Sequence, residues 1–341
     1  MKHLLRACIS KLSLHQAGIP YNLNWNYRDW KALAPFLSKN PVHVIDVGAR
    51  NGSLGELESL RSFIDYSGFD ADAEETARLS AKGTQGYQKY QIFPFFVGNQ
   101  EGDQTFHIYF NPGDSSQLLP NPDYVEFSPK FQIERSVTVQ GTTLDALFNR
   151  DDLHEVDLLK LDTQGTEFEI LSGGEKAISK ALMIEAEVEF VEMYKNQKLF
   201  HEICELLYQK QFILLYLNRV FIQRSNFKAP SRGQMIYGDA LFGLKDEFAQ
   251  KLPVEKKIKY IILLIQYGII DFAYHLYSND KEAQRIVPEL GIIFRKTTTV
   301  GLWSKMKRVA WMQIDKIIAI VLYLRGTNQL ESDSDRSWPI R

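Results

Sequence analysis

The sequence has only two cysteines in 341 residues, Cys8 and Cys204, too few and too far apart for a disulfide framework or a cysteine-built zinc site. That scarcity suits a reducing compartment, and the cytoplasm is the expected location. No charge of one sign dominates: Lys and Arg number 40, Asp and Glu 42, and the net charge of −2 supplies no attraction to nucleic acid. A nucleic-acid partner is not expected. Long apolar runs are also missing. The most apolar stretches, 261–270 broken by Gln266 and 317–324, fall short of the roughly 18 to 20 residues that span a bilayer. Near the start, Arg6 and Lys11 interrupt the apolar residues before a signal-peptide core can form, so no export is expected. The seven histidines are scattered, and none has a partner at metal-ligand spacing.

What is present is the composition of a globular protein, 45% hydrophobic and 24% charged. The length suits one core of about 200 to 250 residues with something attached. Residues 1–40 read as a lead-in with a helix at 27–38, closed by Asn40-Pro41. From 41 to 244, β-rich runs at 42–46, 66–70, 91–97, 156–161, 182–188, 212–217 and 240–244 alternate with helical patterns at 54–63, 73–81, 167–172 and 199–211. That alternation predicts an α/β fold, a doubly wound and mostly parallel seven-stranded sheet. Residues 102–139 insert two strand-like runs, 104–110 and 136–139, around a Pro- and Ser-rich loop, the kind of long connection that is often functional. Helical patterns at 245–251, 256–278, 281–295 and 303–325 predict a helical C-terminal appendage over 245–325, followed by a polar tail, 326–341, expected to be disordered.

The first strand runs into Asp46-Val-Gly48-Ala-Arg-Asn51-Gly52, an acidic strand end followed by a glycine-rich turn and a helix. Glycines there admit positive φ and close approach of a ligand to the backbone. The order D-x-G-x-x-x-G differs from the pyrophosphate-shaped G-x-G-x-x-G. It suits S-adenosylmethionine, whose ammonium can meet Asp46 while loop N–H groups meet the carboxylate. The second strand ends at Asp70, where an α/β nucleoside site places a carboxylate for both ribose hydroxyls. Asp70 is also positioned to cap the next helix.

Further motifs follow in order: Thr143-Leu-Asp145, Asp157-Leu-Leu-Lys160-Leu-Asp162-Thr-Gln164-Gly165-Thr-Glu167, Glu185-Ala-Glu187-Val-Glu189, and Gly238-Asp239-Ala-Leu-Phe242. With the first loop, they resemble the FkbM-type methyltransferases, class I S-adenosylmethionine-dependent enzymes that mostly O-methylate sugars, polyketides and related natural products. The resemblance runs from about 40 to 244. Two departures stand out: Asp70-Ala71 where the family often has Glu-Pro, and Gln164 where it often has Glu. The second removes a charge, so no acid/base role passes to position 164.

The resemblance implies a cofactor site at Asp46, Gly48, Asn51, Gly52, Asp70 and Ser116, the last within a Ser115-Ser116-Gln117-Leu118 turn like the family's Ser-Ser-Leu element. Asp162 is the foremost catalytic candidate, followed by Glu187 and Glu185, which period-two alternation puts on one strand face. Three roles stay open for these carboxylates: general base, ligands for Mg²⁺ through Asp162 and Glu187, or structural groups that cap helices. Glu167 suits a first helical turn.

A basic stretch, with Lys305, Lys307, Arg308 and Lys316 among Trp303, Met306, Val309 and Trp311, suits either a helix packed on the protein or one lying on an anionic membrane. The second version puts the protein at the inner membrane surface, and a homo-oligomer is also admitted. The implied acceptor is a small molecule or glycan. The competing class is a non-catalytic cofactor-binding or interaction protein in a surface-glycan assembly complex.

Overall fold

The computed structural model describes residues 27–50, 54–126, 131–149, 153–229 and 233–298. The lead-in before 27, Asn51 and Gly52 of the first loop, the basic stretch 303–325 and the tail 326–341 lie outside the described residues.

The strands are β1 (Val42–Val47), β2 (Ile64–Phe69), β3 (Lys89–Phe93), β4 (Phe96–Gly98), β5 (Gly102–Tyr109), β6 (Ile133–Thr143), β7 (Leu158–Leu161), β8 (Met183–Glu189), β9 (Phe212–Leu217), β10 (Val220–Ile222) and β11 (Gln234–Leu244). The main sheet runs β10-β11-β8-β7-β1-β2-β3, with β9 also on β11. Strands β3, β2, β1, β7 and β8 are parallel; β11 joins β8 antiparallel, and β9, antiparallel to β11, runs in the direction of the parallel set. The fold is therefore the expected doubly wound, mostly parallel α/β sheet. The short β10 is an eighth strand beyond the seven expected.

Several boundaries differ from the sequence reading for local reasons. The run 91–97 is two strands, because Pro94 has no N–H for a ladder and separates β3 from β4. Strand β4 belongs to a second sheet, β4-β6-β5, which contains both alternating runs of the long insertion. The segment at 54–63 forms a 3-10 helix, Gly55–Phe63, rather than an α-helix. The pattern at 256–278 divides into helices Val254–Gln266 and Ile270–Ser278, with Gly268 at φ +79° between them. Pro288 likewise divides 281–295 into Lys281–Ile286 and Glu289–Thr298.

Alternation along the strands builds two cores. Ile45, Val47, Leu159, Leu161, Ile184 and Ala186 pack with Leu147, Ile170, Ile178 and Leu207 of helices on one face. On the other face Val42, Val44, Tyr66, Leu158, Met183 and Leu241 share a cluster with Trp30, Leu57 and the helix Val254–Gln266. That helix is buried from Lys257 to Ile265. Burying an aliphatic side chain of this kind contributes about 1.5 to 3 kcal/mol. Polar anchors fix its position: Lys256 and Lys259 reach Asp157 at 2.7 and 2.9 Å, and Gln266 Nε2 donates to Ser59 Oγ at 3.0 Å. Among the described residues no helix is long and apolar enough to cross a membrane.

Candidate active site at the carboxyl ends of the central strands

Strand register places the motif residues in two rows. In the lower row, Asp46 pairs with Gly68 and Lys160, and Lys160 pairs with Glu185. Two residues further along each strand, the upper row contains Asp70, Gly48, Asp162, Glu187 and Asp239. All five upper residues line one cavity of about 310 Å³, together with Arg50, Phe95, Ser115, Gln164 and Tyr237. Carboxyl ends of parallel strands are where doubly wound folds hold ligands.

The lower row is the cavity's buried support. Tyr66 donates its hydroxyl to Asp46 Oδ2 at 2.6 Å, and Lys160 Nζ stands 3.8 Å from Asp46 Oδ1. Burial pushes the Asp46 pKa up, against the pull of Lys160 and the Tyr66 hydrogen bond. Asp46 Oδ1 is buried with no hydrogen-bond partner among the described residues. Burial alone would lower the Lys160 pKa, but the carboxylates of Asp46, Asp162 and Glu185 raise it. Glu185 accepts a 2.5 Å hydrogen bond from Tyr267 and does not line the cavity, although it shares a strand face with Glu187.

Gly48 has φ +84°, and a Cβ there would stand 1.8 Å from the Asp162 carbonyl oxygen. Only glycine lets the β1 turn pass so close to the end of β7. The N–H groups of Gly48 and Ala49 both donate to Phe69 O, at 2.9 and 3.0 Å. Gly48 thus provides space, and its N–H is already used within the backbone. Gly48→Ala is expected to lower Tm by several degrees, since the left-handed backbone alone costs about 1–2 kcal/mol for a residue with a Cβ. Thermal unfolding followed by circular dichroism measures this, and an unchanged Tm would contradict the crowding.

Asp70 lines the cavity, and its Oδ1 accepts the Asp72 N–H at 2.8 Å. Burial raises its pKa to about 6. The helix-capping role belongs to Asp72, whose side chain accepts from Glu74 and Glu75 N–H and pairs with Arg50 at 2.9 Å. Asp70 is therefore not needed as a cap.

At the centre, the Gln164 side-chain amide donates to Asp162 Oδ1 at 3.1 Å and to Glu187 Oε2 at 2.5 Å. Its Oε1 accepts from the Tyr194 hydroxyl at 3.1 Å. Lys160 Nζ lies 3.7 Å from Asp162 Oδ2. Burial first, then the charges of Asp162, Glu189 and Glu167, push the Glu187 pKa well above the usual range. Protonation of Glu187 is thus favoured over its usual range by burial and by the neighbouring carboxyl groups. Glu167 accepts from Thr163 N, Thr163 Oγ1 and Gly165 N at 2.7, 2.9 and 3.0 Å, so it ties the loop to the first turn of helix Glu167–Ser172. Ser116 is fully buried and does not line the cavity, contrary to its expected cofactor contact. Its hydroxyl donates to Gln164 O at 2.7 Å, while the neighbouring Ser115 lines the wall.

The Mg²⁺ reading does not fit these groups. Asp162 and Glu187 are bridged by one amide, and no set of three or more His, Cys, Asp or Glu among the described residues could hold a metal ion. S-adenosylmethionine fits better: Asp70 lines the cavity and suits a diol, while Asp46 lies buried beneath it, its Oδ1 ion-paired with Lys160. The sequence reading did not anticipate Arg50, Tyr194, Tyr237 or Asp239 at the site.

A family model described as the methyltransferase FkbM domain matches residues 46–214. Among curated proteins, the 2-O-methyltransferase NoeI of Sinorhizobium fredii (strain NBRC 101917 / NGR234) is 22% identical over 184 residues, covering 52% of this chain and 75% of NoeI. Similar solved structures include magnesium protoporphyrin IX methyltransferase (ChlM) from Synechocystis PCC 6803 with bound SAM, at 11% identity and TM-score 0.34, covering 64% of this chain and 80% of that one. Another is the precorrin-6y C5,15-methyltransferase from Geobacter metallireducens GS-15, at 13% identity and TM-score 0.32, covering 62% and 87%.

Proposed function

Residues 46–214 belong to the FkbM methyltransferase family, and from that premise we propose that the chain is an S-adenosylmethionine-dependent O-methyltransferase acting on a hydroxyl of a sugar, glycoconjugate or related natural product. The observation that carries this reading is the upper row, with Asp70 at one end of the cavity and the Asp162–Gln164–Glu187 bridge towards the other. The name of NoeI, a 2-O-methyltransferase, supports oxygen as the accepting atom. Location in the cytoplasm and contact of segment 303–325 with an anionic membrane belong to the same proposal and rest on sequence alone.

In this reading Asp70 accepts the two ribose hydroxyls, Asp46 meets the amino-acid end through water, and Phe69 and Phe95 supply apolar wall. S-adenosylmethionine supplies a methyl group already activated by a sulfonium. The protein then has to align the acceptor oxygen and remove its proton. Asp162 takes that proton, held by Lys160 and the Gln164 amide. Glu187, whose pKa burial and its neighbours raise, hydrogen-bonds the acceptor oxygen and keeps it in place.

Isothermal titration of the full chain with S-adenosylhomocysteine tests the reading, and no binding would overturn it. Asp70→Ala is expected to weaken binding at least about tenfold, as loss of hydrogen bonds to a charged group does. Binding to S-adenosylhomocysteine but no transfer across a broad hydroxyl panel would favour the non-catalytic interaction protein.

The Asp70 pKa of about 6 adds a pH signature. The ionised carboxylate is the form that accepts two hydroxyls, so affinity should fall as pH drops below 6. The stability sign is opposite. A carboxyl raised above its unfolded value destabilises the fold where it is charged, and stability is regained as pH falls through 6 towards the unfolded value near 4. Asp70→Asn should therefore raise the Tm of the unliganded protein at pH 7.5 while weakening the ligand. An unchanged or lower Tm would contradict the burial argument.

A further inference from the structure

Tyr237 and Asp239 stand two residues apart on β11, so they share a strand face, and both line the cavity. Asp239 is opposite Glu187 in the β8–β11 register, which puts their Cβ atoms about 5 Å apart. Asp162 lies one strand further, a step beyond the Leu161–Ala186 pair. Three carboxyl groups therefore occupy neighbouring strands at one level. The features suited to a nucleoside, Gly48 and Asp70, lie on β1 and β2. With strands about 4.8 Å apart, β11 is roughly 14 Å from β1, far enough to bind a second molecule.

The Asp239 side chain is held in place. Asn218, itself buried, donates its side-chain amide to Asp239 Oδ2 at 3.1 Å and its backbone N–H to Asp239 O at 2.9 Å. Gly238 makes this approach possible, since a Cβ there would stand 2.0 Å from Asn218 O. A carboxyl oxygen accepts hydrogen bonds and so suits a ligand that donates them, and the tyrosine ring beside it offers an apolar face. A sugar ring has both complements, a face of C–H groups and an edge of hydroxyls.

We propose that Tyr237 and Asp239 form the acceptor subsite, and that its ligand is a sugar ring with a second hydroxyl, held by Asp239, beside the one methylated. The inference rests on the methyltransferase reading above. Asp162 and Glu187 address the reacting oxygen, while Asp239, one strand further out, takes the neighbouring hydroxyl and so selects the position modified.

The test uses the full chain with S-adenosylmethionine and a panel of p-nitrophenyl pyranosides together with their monodeoxy counterparts. For the best pyranoside, removing the neighbouring hydroxyl is expected to lower kcat/KM at least about tenfold, through KM, because a site built for a hydroxyl rejects the analogue that lacks it. Asp239→Ala should show a similar loss on the parent sugar and then treat parent and deoxy sugar alike. Its affinity for S-adenosylhomocysteine should stay within about twofold, as β11 is remote from Asp70. Equal losses on parent and deoxy sugars, or an Asp239→Ala enzyme that still discriminates between them, would overturn the proposal. Should Asp239→Ala fail to fold, equal kcat/KM for the parent and every deoxy sugar in the wild type would overturn it as well. Methyl transfer to phenols or simple alcohols but to no pyranoside would remove this inference and leave the methyltransferase standing. Absence of S-adenosylhomocysteine binding would remove the underlying reading instead.

Discussion

Asp162→Asn is expected to lower kcat for methyl transfer by roughly 10²- to 10⁴-fold, the range that a positioned general base contributes. Affinity for S-adenosylhomocysteine should change little. The carboxylate lies between Lys160 and the Gln164 amide and is 45% exposed, so it is both oriented and reachable. An asparagine there can fill the same space and keep one acceptor atom, but it takes up no proton. Glu187→Gln should cost less, because a glutamine keeps the length of the side chain and can still hydrogen-bond the acceptor. Steady-state kinetics on the two variants separates the roles. An Asp162→Asn enzyme within threefold of wild-type kcat would remove Asp162 as the base.

The largest loss of stability is expected at a residue outside the cavity. Asp157 is fully buried, accepts the His43 N–H at 2.8 Å and pairs with Lys256 and Lys259 at 2.7 and 2.9 Å. Removing one partner of such a group leaves a buried ammonium without compensation, at about 3–5 kcal/mol. For a protein of this size, Asp157→Ala should then lower Tm by about 4–7 °C. Burial pushes the Asp157 pKa up, but Lys259, Lys256 and the His43 N–H together bring it below the usual carboxylate value. A depressed folded-state pKa means that this stabilisation is present above about pH 4 and is lost as pH falls through the folded value. Melting curves from pH 7 to pH 2 should therefore converge for wild type and Asp157→Ala at the acid end. A variant with Asp157→Leu, Lys256→Met and Lys259→Met should recover part of the loss, because apolar groups of similar size can replace buried ions. A single variant as stable as wild type at pH 7 would show that the cluster contributes nothing.

The parts of the site visible in the sequence are those encoded by a few adjacent residues. An apolar run ending in an acid and a glycine turn marks the carboxyl end of β1 at Asp46 and Gly48, and the same logic marks the end of β2 at Asp70; of the three, Gly48 and Asp70 line the cavity. Alternation along β8 correctly placed Glu185 and Glu187 on one face. It could not give depth: two residues are about 7 Å apart along a strand, and Tyr267, far along the chain, covers the inner glutamate. The partnership of Asp239 with Glu187 depends on antiparallel register between strands some fifty positions apart. Gln164 was noted as a lost charge, yet its amide joins Asp162 to Glu187 from a backbone at φ +60°, which non-glycine residues seldom adopt. The breaks at Pro94, Gly268 and Pro288 did have local signals, which the broader hydrophobic patterns masked.

The helix Val254–Gln266 also bears on how the chain acquires its structure. Its contacts reach back roughly 100 residues to Asp157 and about 200 to Ser59, and the Tyr267 hydroxyl completes the surroundings of Glu185. During synthesis, the first βα units leave the ribosome long before the element that covers their sheet. Until residue 267 has emerged, that sheet face is exposed and Lys259 is unavailable to Asp157. Such distant pairing slows folding and lengthens exposure of apolar surface. A nascent chain stopped at residue 250 should therefore remain protease-sensitive, with resistance appearing only once the helix is outside the exit tunnel.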